Sequence, residues 1–180
     1  MLPDGTGPPS VPVPADTGMA WAVKRSFVQY VAASGGSVQV LSPAGRTASS
    51  EFYFPIADDS DFDAKRLTGV IRFAGGVYFT AHGGLLRVAL TDPVVEIAER
   101  AVVRVAGADG HEAPIAELRL PTPTVADGVA MWRDAPAFLL PEAVELFGGS
   151  YAHGEELAPV TVRVGLSSDG SSSGPDDEQI

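Results

Sequence analysis

The sequence predicts a mainly β protein, an antiparallel β-sandwich with two short α-helices. From Ser37 onward the chain is a succession of short β-branched or aromatic runs, bounded by Gly, Pro, Asp or Ser. Helical signals are confined to two segments, one before that region and one near its end. Strands do not alternate with long helices, which argues against a parallel sheet of βαβ units.

Residues 1–15 contain five prolines and read as an extended, disordered arm, so the folded domain is expected over 16–166. Asp16 or Thr17 is placed to cap a helix over about Gly18 to Ala33. Val23, Phe27, Tyr30 and Val31 fall on one side of it at three- and four-residue spacing. Ser26, one turn before Tyr30, points to nearly the same face, and Ser34-Gly35-Gly36 ends the helix. Strands follow over Ser37–Leu41, Glu51–Ile56, Leu67–Ala74, Val77–His82, Leu85–Thr91, Val94–Ala98, Ala101–Ala106, Ile115–Leu120, Val129–Arg133 and Val160–Gly165. Pro141 at a first turn, then Glu142 to Phe147 and Gly148-Gly149, predicts the second helix. Residues 167–180 are rich in serine and acid and read as a disordered tail.

The totals exclude whole classes of function. The 180 residues are 45% hydrophobic and 19% charged, enough for one sizeable core. A net charge of −11 leaves no basic stripe for a nucleic acid. With no cysteine there are no disulfides, thiolate metal sites or cysteine nucleophiles. No apolar run is long enough to span a membrane, and the first residues do not read as a signal peptide. The expectation is a cytoplasmic protein without membrane insertion.

Most enzyme signatures are missing. There is no phosphate-binding loop, and His111-Glu112 continues as Ala-Pro-Ile, not as a zinc-protease helix. Gly170-Ser-Ser172-Ser-Gly174 matches a hydrolase pattern but has neither a strand before it nor a helix after it. The three histidines are not in ligand spacing, and His111 and His153 fall in loops. Asp58 to Asp63 lacks the glycine and glutamate of a calcium loop.

One stretch stands apart, Phe73 to Gly84. Val77, Phe79 and Ala81 alternate with Tyr78, Thr80 and His82, and the strand then meets Gly83-Gly84. A histidine at such a break is able to reach into a cavity, although an edge histidine bonded locally has the same sequence. Tyr30 has an equally ordinary reading as core packing.

Trp21-x-x-Lys24-x-Ser26-Phe27-x-x-Tyr30 on a helix, followed by Gly-Gly-Val77-x-Phe79-x-x-His82-Gly-Gly on a strand, resembles the HtaA family of haem-binding domains. The resemblance continues through Leu85–Leu90, Asp92-Pro93, Trp132, Ala135 to Ala137, Phe147-Gly148 and Tyr151, and covers roughly residues 20 to 165. It implies a β-rich sandwich with two small helices and one ferric haem b. By the family pattern Tyr30 is the axial ligand of the iron, His82 hydrogen-bonds its phenol oxygen, and Ser26 binds a haem propionate. Phe27 and Phe79 are core residues placed to line the porphyrin. A phenol with a pKa near 10 costs about 4 kcal/mol to ionise at pH 7, a cost that ferric iron and a neighbouring imidazole offset together.

The chain departs from the family at Leu157-Ala158-Pro159, where an aspartate is usual, and it is expected to lack the export signal and anchor typical of the family's members. The resulting expectation is a haem carrier, buffer or acceptor that exchanges haem with donor or acceptor proteins, and not an enzyme. A tyrosinate-ligated haem enzyme with peroxidase-like activity, a haem-free interaction module of the same fold, and a homodimer all stay open as alternatives.

Overall fold

The computed structural model describes residues 17–107, 109–149 and 151–166. The proline-rich arm and the acidic tail lie outside these residues. The chain order is β1 (Gly18–Trp21), α1 (Arg25–Ala33), β2 (Ser37–Leu41), β3 (Gly45–Arg46), β4 (Phe52–Phe54), β5 (Ile56–Asp58) and β6 (Phe62–Asp63). There follow β7 (Thr68–Phe73), β8 (Gly76–Ala81), β9 (Leu86–Ile97), β10 (Ala101–Ala106), β11 (Glu112–Leu118), β12 (Thr124–Ala126), β13 (Val129–Leu139) and β14 (Glu156–Gly165). Between β13 and β14 lie two successive 3-10 turns, Pro141–Ala143 and Glu145–Phe147. The mainly β, antiparallel architecture read from the sequence is the one observed, with two short helical segments, the second as these tight turns.

The described strands form one sheet, and its ladders are antiparallel. The main path runs β2-β8-β9-β10-β11-β13-β14-β1-β4-β3, with β7 against the second half of β9. It curls until it nearly closes around one apolar core. Alternation does the sorting: in β10 Ala101, Val103 and Val105 are buried while the residues between them are half-exposed.

Several boundaries differ from the expectation for identifiable reasons. Gly18–Trp21 is a strand, not the first turn of the helix, because β4 pairs with it on one side and β14 on the other. Trp21 is buried and its indole N–H donates to the Ala158 carbonyl at 2.8 Å. Val23 then takes a left-handed conformation (φ 63°), and α1 begins only after Lys24. The N-cap is therefore Lys24, with no side-chain cap, and Thr17 does not serve. The strand expected over Glu51–Ile56 is interrupted at Pro55, which has no N–H to offer a ladder. The strands expected on either side of Asp92-Pro93 are one strand, bent where Asp92 turns left-handed (φ 46°).

Two glycines fix the way α1 ends. The N–H of Gly36 donates to the Val31 carbonyl (2.9 Å) and that of Gly35, at φ 67°, to the Ala32 carbonyl (3.2 Å). This is a Schellman ending, in which the αL position favours glycine. Gly36 is required for space: a Cβ there would lie 2.1 Å from the Thr80 carbonyl oxygen of β8. The end of α1 is thus docked against the end of β8. No helix among the described residues is long and apolar enough to cross a membrane.

Candidate functional site

Two local structures meet at this junction. On α1, Phe27 and Val31 are buried one turn apart, which leaves Tyr30 and Ser26 on the adjoining, exposed face. At the other side β8 ends at Ala81, and the chain turns through His82, Gly83 and Gly84, all at positive φ (53°, 64° and 91°). The left-handed conformation of His82 ends the β8 strand at Ala81. A non-glycine residue held there marks local strain of the kind found at functional sites.

The two meet side chain to side chain. Tyr30 Oη and His82 Nε2, 52 residues apart in sequence, share a short hydrogen bond, with ring centroids 5.6 Å apart and planes tilted by 56°. While the phenol is protonated its O–H donates to Nε2. The bond leaves an exchangeable proton between a phenol oxygen and an imidazole nitrogen, and Tyr30 is 46% exposed, so its oxygen is within reach of an incoming group.

Beside the pair opens a pocket of about 450 Å³, lined by Phe27, Tyr30, His82, Leu85, Leu86, Phe147, Gly148 and Tyr151. That size is ordinary for a small-molecule site. Phe27 is its floor, with edge-to-face contacts to Phe147 (5.3 Å) and Tyr151 (6.4 Å). Leu85 is 91% exposed at the rim.

Of the residues singled out in the sequence, Tyr30, His82 and Phe27 come together at the pocket. Phe79 lies a layer deeper. Wholly buried, it packs 5.2 Å from Phe27 and 5.9 Å from Phe52 and supports the floor without lining the pocket. Ser26 is exposed on the Tyr30 face, where it favours the ionised form of the Tyr151 phenol. Burial pushes the Tyr151 phenol up from its ordinary value against that effect, and the nearby Glu155 carboxylate adds to the rise. Lys24 is held by Glu155 (3.3 Å) and the Glu156 carbonyl (3.1 Å), over the Tyr151 ring. Arg25 is exposed.

The sequence reading did not assign Tyr151, Phe147, Leu85 or Leu86 to the site. Tyr151 lies in a turn with no periodicity to single it out. The available signal was two aromatics four residues apart around Gly148-Gly149.

Among the described residues no three His, Cys, Asp or Glu side chains are grouped to hold a bare metal ion. What the site offers is a phenol oxygen hydrogen-bonded to an imidazole, beside a second phenol, at the mouth of a largely apolar pocket. That donor set fits a metal already held in the plane of a flat apolar macrocycle, which needs a single axial ligand from the protein.

Comparison with known proteins gives the family and the fold. The HtaA family model, described as Htaa, matches residues 16–163. The crystal structure of the C-terminal domain of HtaA from Corynebacterium glutamicum is similar with a TM-score of 0.66 at 23% identity, covering 82% of this chain and 94% of that one. The N-terminal domain of the same protein gives 0.64 at 22% identity, over 86% and 98%. The haem-binding protein HtaB from the same organism gives 0.62 at 17% identity, over 82% and 91%. No curated protein matches the chain in sequence. With most of the described domain inside the family match and the fold shared, the chain belongs to the HtaA family.

Proposed function

We propose that this chain binds one ferric haem b, with Tyr30 as the axial ligand and His82 as the base that takes and holds the phenol proton, and that it stores or passes on the haem. The observation that carries the reading is the Tyr30–His82 hydrogen bond at the mouth of the apolar pocket. Ferric haem, when bound, supplies the cation that offsets the cost of ionising a phenol. The chain's own residues do the rest. His82 accepts the proton and orients the phenolate by donating Nε2–H to it. Phe27, Leu86 and Phe147 exclude water, and Leu85 adds apolar surface at the rim.

Burial and the nearby Glu155 carboxylate make the Tyr151 phenol harder to ionise than an ordinary tyrosine, whereas the imidazole partner and the greater exposure belong to Tyr30, the oxygen better suited to bind a cation. On this reading Ser26 binds a propionate, a role supported by its exposure on the Tyr30 face of α1. The reading is further supported by the haem-binding description of HtaB, which shares the fold. Nothing beyond His82 in the pocket lining resembles an acid–base set for peroxide chemistry. A loaded protein with peroxidase turnover no higher than haemin alone is the expected result.

The direct test is a haemin titration followed by visible absorption. Wild type should saturate at one equivalent with a high-spin, phenolate-type spectrum. Tyr30→Phe, which keeps the ring and loses the donor, should lose that spectrum. His82→Ala should keep the spectrum and weaken binding by roughly 10- to 100-fold, as for other partners of metal ligands. Equal weak binding by all three would overturn the proposal.

A further inference from the structure

The imidazole of His82 is aimed by a turn that has little of its own to hold it. Ala81 and Leu86 pair across β8 and β9, and only four residues connect them. Three of these are left-handed, and a Cβ on Gly83 would touch nothing within 4 Å. Two adjacent glycines have broad conformational freedom, and the left-handed conformation is costly for a histidine. Such a turn samples other conformations unless an external group restrains it.

Besides the Leu85 N–H bond to the His82 carbonyl (3.2 Å) and the Tyr30 contact, the restraint on the turn is Arg87. Its Nε donates to the Gly84 carbonyl at 2.9 Å, and its guanidinium lies so close over the turn that a Cβ on Gly84 would be 3.2 Å from a terminal nitrogen. The ion pairs among the described residues engage Lys24, Arg66, Arg72, Arg100 and Arg104, whereas the Arg87 guanidinium clamps a backbone carbonyl. Arg87 stands directly opposite Thr80 across the β8–β9 ladder. Thr80 in turn bonds the Ser37 hydroxyl at 2.7 Å, immediately after the exit of α1. One row of side chains, Ser37, Thr80 and Arg87, thus runs from the helix that carries Tyr30 to the turn that carries His82.

We propose that Arg87 is a positioning residue for His82: by clamping Gly84 it keeps the turn left-handed and Nε2 directed at Tyr30 Oη. The consequence for haem affinity rests on the function proposed above, but the positioning role does not. The test therefore has a readout that needs no haem. In the haem-free protein, nitrogen-15 NMR of the His82 imidazole should show one hydrogen-bonded tautomer in wild type and Arg87→Lys, and averaged signals in Arg87→Met. Haemin titration of Arg87→Met, His82→Ala and the double variant then forms a cycle. Arg87→Met should weaken binding about fivefold, the order expected for one exposed hydrogen bond, and cost nothing further once His82 is removed. An unchanged imidazole spectrum in Arg87→Met overturns the proposal, as does an equal loss in both backgrounds. If wild type fails to bind haemin, the function proposed above falls, and the imidazole spectrum still decides the role of Arg87.

Discussion

Two phenols line one pocket, and their surroundings push them toward different work. Tyr30 faces a base, His82, that can accept its proton. Tyr151 lies near Ser26, which favours its ionised form, but burial and the Glu155 carboxylate outweigh that effect and raise its pKa above 10.0. A group whose folded-state pKa is raised contributes stability that is fully present below its unfolded value and is lost as the pH rises through the folded value. Tyr151 should therefore make the domain labile in alkali, beginning near pH 10 and continuing above it. Tyr151→Phe keeps the ring contacts with Phe27 and Phe147 and removes the titrating group. Its melting temperature should fall less steeply than that of wild type between about pH 9.5 and 11, with little difference at pH 7. Parallel curves for the two proteins would show that Tyr151 titrates alike in the folded and unfolded chain.

At the scale of elements, the site is a junction between the end of α1 and the end of β8, and two consecutive glycines hold it for different reasons. Gly35 needs its left-handed φ but has open space, so Gly35→Ala should cost about 1 kcal/mol and leave the pocket intact. Gly36 has no room for a Cβ beside the Thr80 carbonyl, so Gly36→Ala must push α1 away from β8. That should cost about 2–3 kcal/mol in denaturant unfolding, and it should separate Tyr30 from His82 and weaken haemin binding far more than Gly35→Ala does. Equal effects of the two would mean that the junction is compliant. The pair of glycines was visible in the sequence as a helix stop, and the stretch Phe73 to Gly84 as a strand ending in a break, because both signals are local. The spacing of Phe27, Tyr30 and Val31 likewise marked a helix face. What local spacing does not contain is the choice between Phe27 and Phe79 as pocket floor, since two buried aromatics in contact differ only in depth.

The whole molecule is a nearly closed sheet whose first strand is clasped by its last, and this explains the largest departure from the sequence reading. Gly18 to Trp21 is too short for its alternation to outweigh a helical continuation into Lys24. Its strand character comes from β14, and Trp21 meets Ala158 across 137 positions of sequence. Long-range pairing of that kind overrides local propensity. The same clasp ties the core to the site, because the Val23 carbonyl accepts the Ala158 N–H (2.8 Å) just before α1 starts. Trp21→Ala removes a fully buried ring together with its hydrogen bond. It should cost about 3–5 kcal/mol, which for a domain of this size lowers the melting temperature by roughly 10 °C. If the sheet and the site form one cooperative unit, the far-ultraviolet melt and the Soret melt of the haem-loaded variant should shift together by the same amount. A Soret transition that stays at the wild-type temperature while the sheet melts early would show that α1 and the His82 turn hold the ligand without the clasp, and that the domain divides between β1 and α1.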